Sequence, residues 1–262
     1  MMSKTRRELI SFFIVSFLWM WLINFFRILE ARDVLYLNPI LSMIMGYIAV
    51  FGPGIAAFVL TFKSSGKKGT KILWKRGWRL NFKKIWLLPT IILIPITAVL
   101  TLIILNILDV SIAWEAALPP SMVVPIGLLI WLLGAYPEEY GWRGYALPRL
   151  LEKNNPLTAS LILGAVWGIW HLPLHFIPTT TQYVIPIWQY LLLTLVLSVL
   201  YTWLYLGTEG NLFIASLFHA SGNIAGAVIP YWTSNFGRWV SFLVLMIPAS
   251  IVAFHWLKAK NR

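Results

Sequence analysis

The stretch 137–144 reads PEEYGWRG, so two adjacent carboxylates, Glu138 and Glu139, are followed by Arg143. The 13 residues before it, 124–136, carry no charge. Residues four apart on a helix share a face, and an acid on the N-terminal side of a base is the favourable order, which couples Glu139 to Arg143. Glu138 is turned about 100° from that pair. Lacking a local cation, it is the carboxylate suited to act as a general base. The same spacing also fits a purely structural charge cluster near the lipid headgroups.

Four further polar groups interrupt apolar sequence: His171 and His175 in WGIWHLPLH, and His219 and Asn223 in SLFHASGN. His219 and Asn223 are four apart and offer an imidazole beside a carboxamide on one helix face. His255 lies alone in a later apolar run. Polar side chains inside a membrane mark functional sites by default. Each can instead be interhelical glue, worth about 0.6 kcal/mol on average.

The elements that must position these groups follow from composition. Of 262 residues, 59% are apolar and 11% charged, less than half the charged share of a soluble domain. Fifteen tryptophans suit the lipid–water interface. Eight apolar stretches approach the length of about 20 residues that crosses hydrocarbon, at roughly 8–28, 36–62, 84–108, 121–147, 157–178, 183–207, 211–230 and 237–257. The expected fold is therefore an all-α polytopic membrane protein with about eight transmembrane helices. A single transmembrane domain over 1–262 is expected, with a motif-bearing core at about 121–230.

Placing the N-terminus inside puts 18 of 21 Lys and Arg on the cytoplasmic side, in 1–7, 63–84, 143–156 and 258–262. The opposite side keeps only Arg27, Arg32 and Arg238. Both termini are then cytoplasmic, and the net charge of +12 is an insertion signal rather than a nucleic-acid footprint. The basic stretch 63–84 reads as a cytoplasmic loop, either solvated or lying on anionic headgroups. The chain has no cysteine, which excludes disulfides and thiolate chemistry. Counting 1.5 Å per residue puts Glu138, His171 and His219 about 18, 21 and 12 Å from the cytoplasmic ends of their spans, near enough in depth to meet.

In their order, EEYGWRGYALPRL, WGIWHLP and TEGNLFIASLFHASGN resemble the three motifs of the CPBP (Abi) family of intramembrane endopeptidases, which includes the type II CAAX prenyl proteases. The family pattern falls on Glu138, Glu139 and Arg143, on Trp167 and His171, and on His219 and Asn223. The resemblance covers 137–224, about a third of the chain. It implies peptide-bond hydrolysis in the membrane, on a peptide or protein substrate that is C-terminal or lipidated. Glu138 and His171 would activate a water, His219 and Asn223 would bind the oxyanion, and Glu139 and Arg143 would hold the fourth span in register. Such a site needs a lateral or cytoplasmic opening, expected between the fourth and seventh spans.

No cofactor is favoured. Zinc is the alternative, with Glu138, His171, His175 and His219 as conceivable ligands, but Pro173 disturbs the spacing of the two nearest histidines and no HExxH occurs. His175 is expected to cap its helix. A non-catalytic membrane immunity or binding protein of the same fold is the other alternative, and a transporter would show several charge clusters or repeats in place of one. An integral location in the plasma membrane is expected. Oligomeric state cannot be read from the sequence.

Overall fold

The computed structural model describes residues 3–260. Helices account for its regular structure, as hydrocarbon requires, because a chain without water must satisfy its backbone groups internally. In chain order they are α1 (Lys4–Ala31), α2 (Pro39–Ala49), α3 (Gly52–Gly77), α4 (Leu87–Ile107), α5, α6 (Pro156–Trp170), α7 (Ile187–Gly207), α8 (Leu212–Val228) and α9 (Asn235–Lys260). The composite α5 carries PEEYGWRG. It starts at Val123–Leu129, widens into a π-helical stretch at Ile130–Ala135, returns to α-geometry over Tyr136–Gly141, widens again at Trp142–Ala146 and ends at Leu147–Leu151.

Local sequence sets the helix starts. Asn38, Asn155 and Asn211 each precede a helix and accept from the backbone N–H of Ile40, Thr158 and Ile214. Pro39 and Pro156, just inside two of these starts, lack the N–H that would go unpaired there. Between α7 and α8 the turn reverses through Glu209 and Gly210, both at positive φ, the conformation glycine adopts without strain.

Six helical segments are long and apolar enough to span a membrane, and α2 with α3, bent by 46°, makes a seventh. The remaining apolar stretch, 211–230, is α8, only 17 residues long. Two expectations change. The stretch 36–62 is not one straight span but α2 and the start of α3. The basic stretch 63–84 is helical as far as Gly77, with a kink at Gly66 (φ 60°), rather than a loop. Its helix is held because Trp74 and Trp78 stack on Tyr140 and Tyr136 of α5 at 5.9 and 5.1 Å.

Small residues let the motif-bearing helices close up. A Cβ at Gly164 would meet Thr194 O at 2.8 Å and Leu195 Cα at 2.9 Å, so α6 and α7 touch backbone to backbone. At Gly54 of α3 a Cβ would meet Pro137 O at 2.7 Å, beside the first carboxylate. Without a hydrophobic drive between helices in lipid, such close contact is a main source of cohesion. Gly164→Val is therefore expected to cost about 1–3 kcal/mol by overpacking. Gly134→Ala, where nothing lies within 4 Å, should be tolerated. Thermal unfolding of the two variants in detergent checks the contrast.

Candidate active site

The α-helical turn Tyr136–Gly141, set between two π-helical stretches, aims its two carboxylates differently. Glu139 is fully buried, and its Oε1 accepts from Arg143 Nη1 at 2.9 Å, the pair expected from their spacing. The same oxygen meets His219 Nδ1 of α8 at 2.9 Å. Glu139 thus ties two helices together, a role that spacing within α5 could not reveal. The Arg143 guanidinium, also fully buried, lies 3.8 Å from the ring centroid of Tyr201 and 4.8 Å from that of Trp167. These aromatic faces receive the charge where Nε and Nη2 have no hydrogen-bond acceptor.

Glu138 faces another way. Its Oε2 accepts from Trp167 Nε1 at 2.9 Å and from Trp142 Nε1 at 3.3 Å. Indoles only donate, so the two fix the carboxylate and leave Oε1 for another partner. Trp167 lies one turn before His171, and Trp142 one turn after Glu138. The motif spacing pointed to Trp167, whereas Trp142 could have been found only as the i+4 neighbour of Glu138.

At the end of α6, His171 places Nδ1 2.8 Å from the carbonyl of Trp167. A carbonyl can only accept, so Nδ1 carries the proton and Nε2 presents its lone pair. His171 also packs edge-on against Trp170 (4.7 Å) and Tyr190 (5.3 Å), which lock the ring. His219 stands between Trp167 (5.7 Å) and Tyr201 (5.9 Å). Asn223, one turn further along α8, is exposed.

Glu138, His171, His219 and Asn223 line one cavity of about 990 Å³. Three helices that share no local sequence bring them to this one cavity. The wall extends further than expected. Besides the fourth to seventh spans it takes in α1, α2 and α9 through residues such as Met20, Tyr47 and Phe242. The cavity runs to the facing ends of α1 and α2, at Ala31 and Pro39, and to the connectors between α6 and α7 and between α8 and α9, as Thr179 and Trp232 show. No lining residue comes from 78–83, 152–155 or 208–211, the connectors at the other end.

That other end is filled. Arg76 donates to Gly144 O, Tyr205 Oη and Gly210 O at 2.8–3.1 Å, and Arg79 to Thr208 O and Glu209 O. Tyr140 Oη donates to Trp74 O at 2.9 Å, and Tyr136 Oη to Gly77 O. The end of the basic stretch is thus a plug beneath the motif turn.

Of the conceivable zinc ligands, Glu138, His171 and His219 line the cavity and His175 does not. His175 lies outside the cavity wall and binds Ile185 O at 2.9 Å, joining two short 3-10 turns rather than capping a helix. The Nδ1 atoms of His171 and His219 are both engaged, which leaves only Nε2 of each ring for a metal. Among the described residues, no group of three or more His, Cys, Asp or Glu is arranged to hold a metal ion.

Comparison with known proteins falls on this region. Residues 120–225 match the family model described as type II CAAX prenyl endopeptidase Rce1-like. The chain is similar to CAAX prenyl protease 2 of Methanococcus maripaludis, with 36% identity over 102 residues, which are 37% of this chain and 37% of that protein.

Breaking the buried triad is expected to be costly, because each partner leaves another charge unpaired in a dry interior. Glu139→Ala and Arg143→Ala should each destabilise the protein by about 3–5 kcal/mol. The double variant should lose less than the sum of the two. Glu138→Gln, which keeps its shape and an acceptor for the indoles, should leave the unfolding temperature nearly unchanged. Unfolding in detergent, followed by near-ultraviolet circular dichroism, separates the three.

Proposed function

We propose that this chain, whose residues 120–225 match the Rce1-like family of type II CAAX prenyl endopeptidases, is an intramembrane endopeptidase that hydrolyses a peptide bond of a membrane-associated peptide with a glutamate-activated water. The observation that carries the proposal is the convergence of Glu138, His171, His219 and Asn223 on one cavity inside an integral membrane protein. A binding protein needs no such set, since a carboxylate oriented by two indoles in one cavity with a bare imidazole nitrogen is an arrangement for moving a proton.

A water between Glu138 Oε1 and His171 Nε2 gives its proton to Glu138 as its oxygen adds to the scissile carbonyl carbon. The carbonyl oxygen becomes an oxyanion, which accepts from the Asn223 amide and His219 Nε2. For Nε2 to donate while Nδ1 serves Glu139, His219 must carry both ring protons, and the Glu139 carboxylate 2.9 Å away supports that charge. Collapse of the intermediate breaks the C–N bond, and the proton held on Glu138 passes to the leaving amine. No step is routed through a metal ion.

The substrate is a peptide or protein with a lipidated or C-terminal segment that reaches the cavity from the lipid. We place the protein in the plasma membrane with its basic helix ends in the cytoplasm. Since the cavity runs to the opposite helix ends, its mouth then faces away from the cytoplasm, which disfavours the cytoplasmic opening expected from the sequence and keeps the lateral one.

In vesicles, cleavage of a lipidated reporter peptide should fall at least 10³-fold in Glu138→Gln, about 10²–10³-fold in Asn223→Ala, and not at all with a chelator. Full cleavage by Glu138→Gln would overturn the assignment, and loss on chelation would move it to metal catalysis. Because the chain has no cysteine, single-cysteine variants report sidedness directly. Thr181→Cys should react with an impermeant maleimide outside intact cells and Ser64→Cys should not, the reverse result inverting the orientation.

A further inference from the structure

One cation on the cavity wall has no part in this chemistry. Arg27, near the end of α1, is only 6% exposed yet lines the cavity. Its Nη1 donates to Asn24 Oδ1 at 2.8 Å and its Nε reaches Ser42 Oγ at 3.5 Å. Among the described residues, Nη2 has no protein acceptor and no carboxylate stands within ion-pair distance of the guanidinium. Glu30, one turn on, is occupied by Ser42 Oγ at 2.6 Å. Arg238, also on the wall, differs in that all three of its nitrogens end on neutral acceptors, at Gln189, Trp232 O and Asn235.

Room for the Arg27 head is made by a missing side chain. A Cβ at Gly46 of α2 would lie 2.9 Å from Nη1. A buried guanidinium with an open edge is a weak structural element, because Glu30 lies beyond ion-pair distance and offsets its desolvation only in part. It is a good receptor for a carboxylate, which the planar fork binds with charge-assisted hydrogen bonds.

We infer that Arg27 is the docking point for a carboxylate of the substrate, and so a specificity determinant of the cavity. The inference rests on the peptidase proposal for what occupies the rest of the cavity. Helix register sets the distance. Phe12 packs against Trp142 and Tyr145 at 5.5 and 5.2 Å, which puts the level of Glu138, one turn beyond Trp142, near Ser16 of α1. From there to Arg27 is about 16 Å along the helix. An extended peptide covers about 3.3–3.6 Å per residue, so about four or five residues separate the bond cut at Glu138 from the anchored carboxylate. A free C-terminal carboxylate at that remove satisfies both sites, as does an acidic side chain at the same distance.

Binding to the Glu138→Gln protein in vesicles tests this independently of hydrolysis. The probes are a fluorescent S-alkylated heptapeptide with a free C-terminal carboxylate, its C-terminal amide, and the amide with a glutamate at the terminal position. Acid and glutamate peptides should bind about tenfold or more tightly than the plain amide, whose affinity should be the same with or without Arg27. Arg27→Gln should abolish the preference, and Arg27→Lys should keep part of it. Gly46→Val, which leaves the charge but fills its space, should abolish it too, so the outcome does not hang on one variant folding. Equal binding of acid and amide by the Arg27 protein, or a preference that persists in Arg27→Gln, would overturn the inference. So would a preference that disappears when anionic lipid is added, because the occupant would then be a lipid phosphate. Cleavage without a carboxylate preference would remove the role of Arg27 and leave the peptidase proposal standing.

Discussion

The arrangement depends on one oxygen atom. Glu139 Oε1 takes both the Arg143 guanidinium of its own helix and the His219 imidazole of α8, each at 2.9 Å, in a buried place. Burying a lone carboxylate or a lone guanidinium there would be prohibitive, so the three groups must be buried together or not at all. That condition fixes the rotation of α5 against α8. With α5 so rotated, Glu138, about 100° away on the same turn, faces the cavity. The supporting pair and the reactive carboxylate are adjacent in sequence because one helical turn has to show two faces at once.

Aromatic residues carry much of what charges cannot. Trp167 gives its N–H to Glu138, its face to Arg143 and its backbone carbonyl to His171, so one residue orients groups from two helices. Tyr201 and Trp142 complete the enclosure from α7 and α5. In hydrocarbon these side chains add little hydrophobic drive. Their contribution is a dry, shaped wall whose donors and π-faces are placed in advance, which is what electrostatic catalysis requires.

The sequence made much of this legible, for identifiable reasons. Hydropathy found the apolar stretches because lipid penalises charge along a whole span, and four-residue spacing found the Glu139–Arg143 pair because helix geometry is local. The approach of Glu138, His171 and His219 was visible through depth alone, since membrane helices share an axis along which residues can be counted. What stayed hidden was contact between helices. Nothing local ties Glu139 to His219, some 80 residues away, or marks Tyr201 among the apolar residues of α7. The basic stretch misled because its charges suggested a solvated loop, whereas Trp74, Trp78 and Arg76 are used to pack against α5 and the turn before α8.

The plug formed by that basic stretch has a kinetic corollary. With Arg76 and Arg79 bonded across one end of the bundle, no lining residue of the chamber comes from the connectors there, so on the peptidase proposal a severed fragment would leave by the same side that admits the substrate. Turnover would then be paced by clearance of the smaller fragment, and accumulated fragments would compete with intact chains for the same passage.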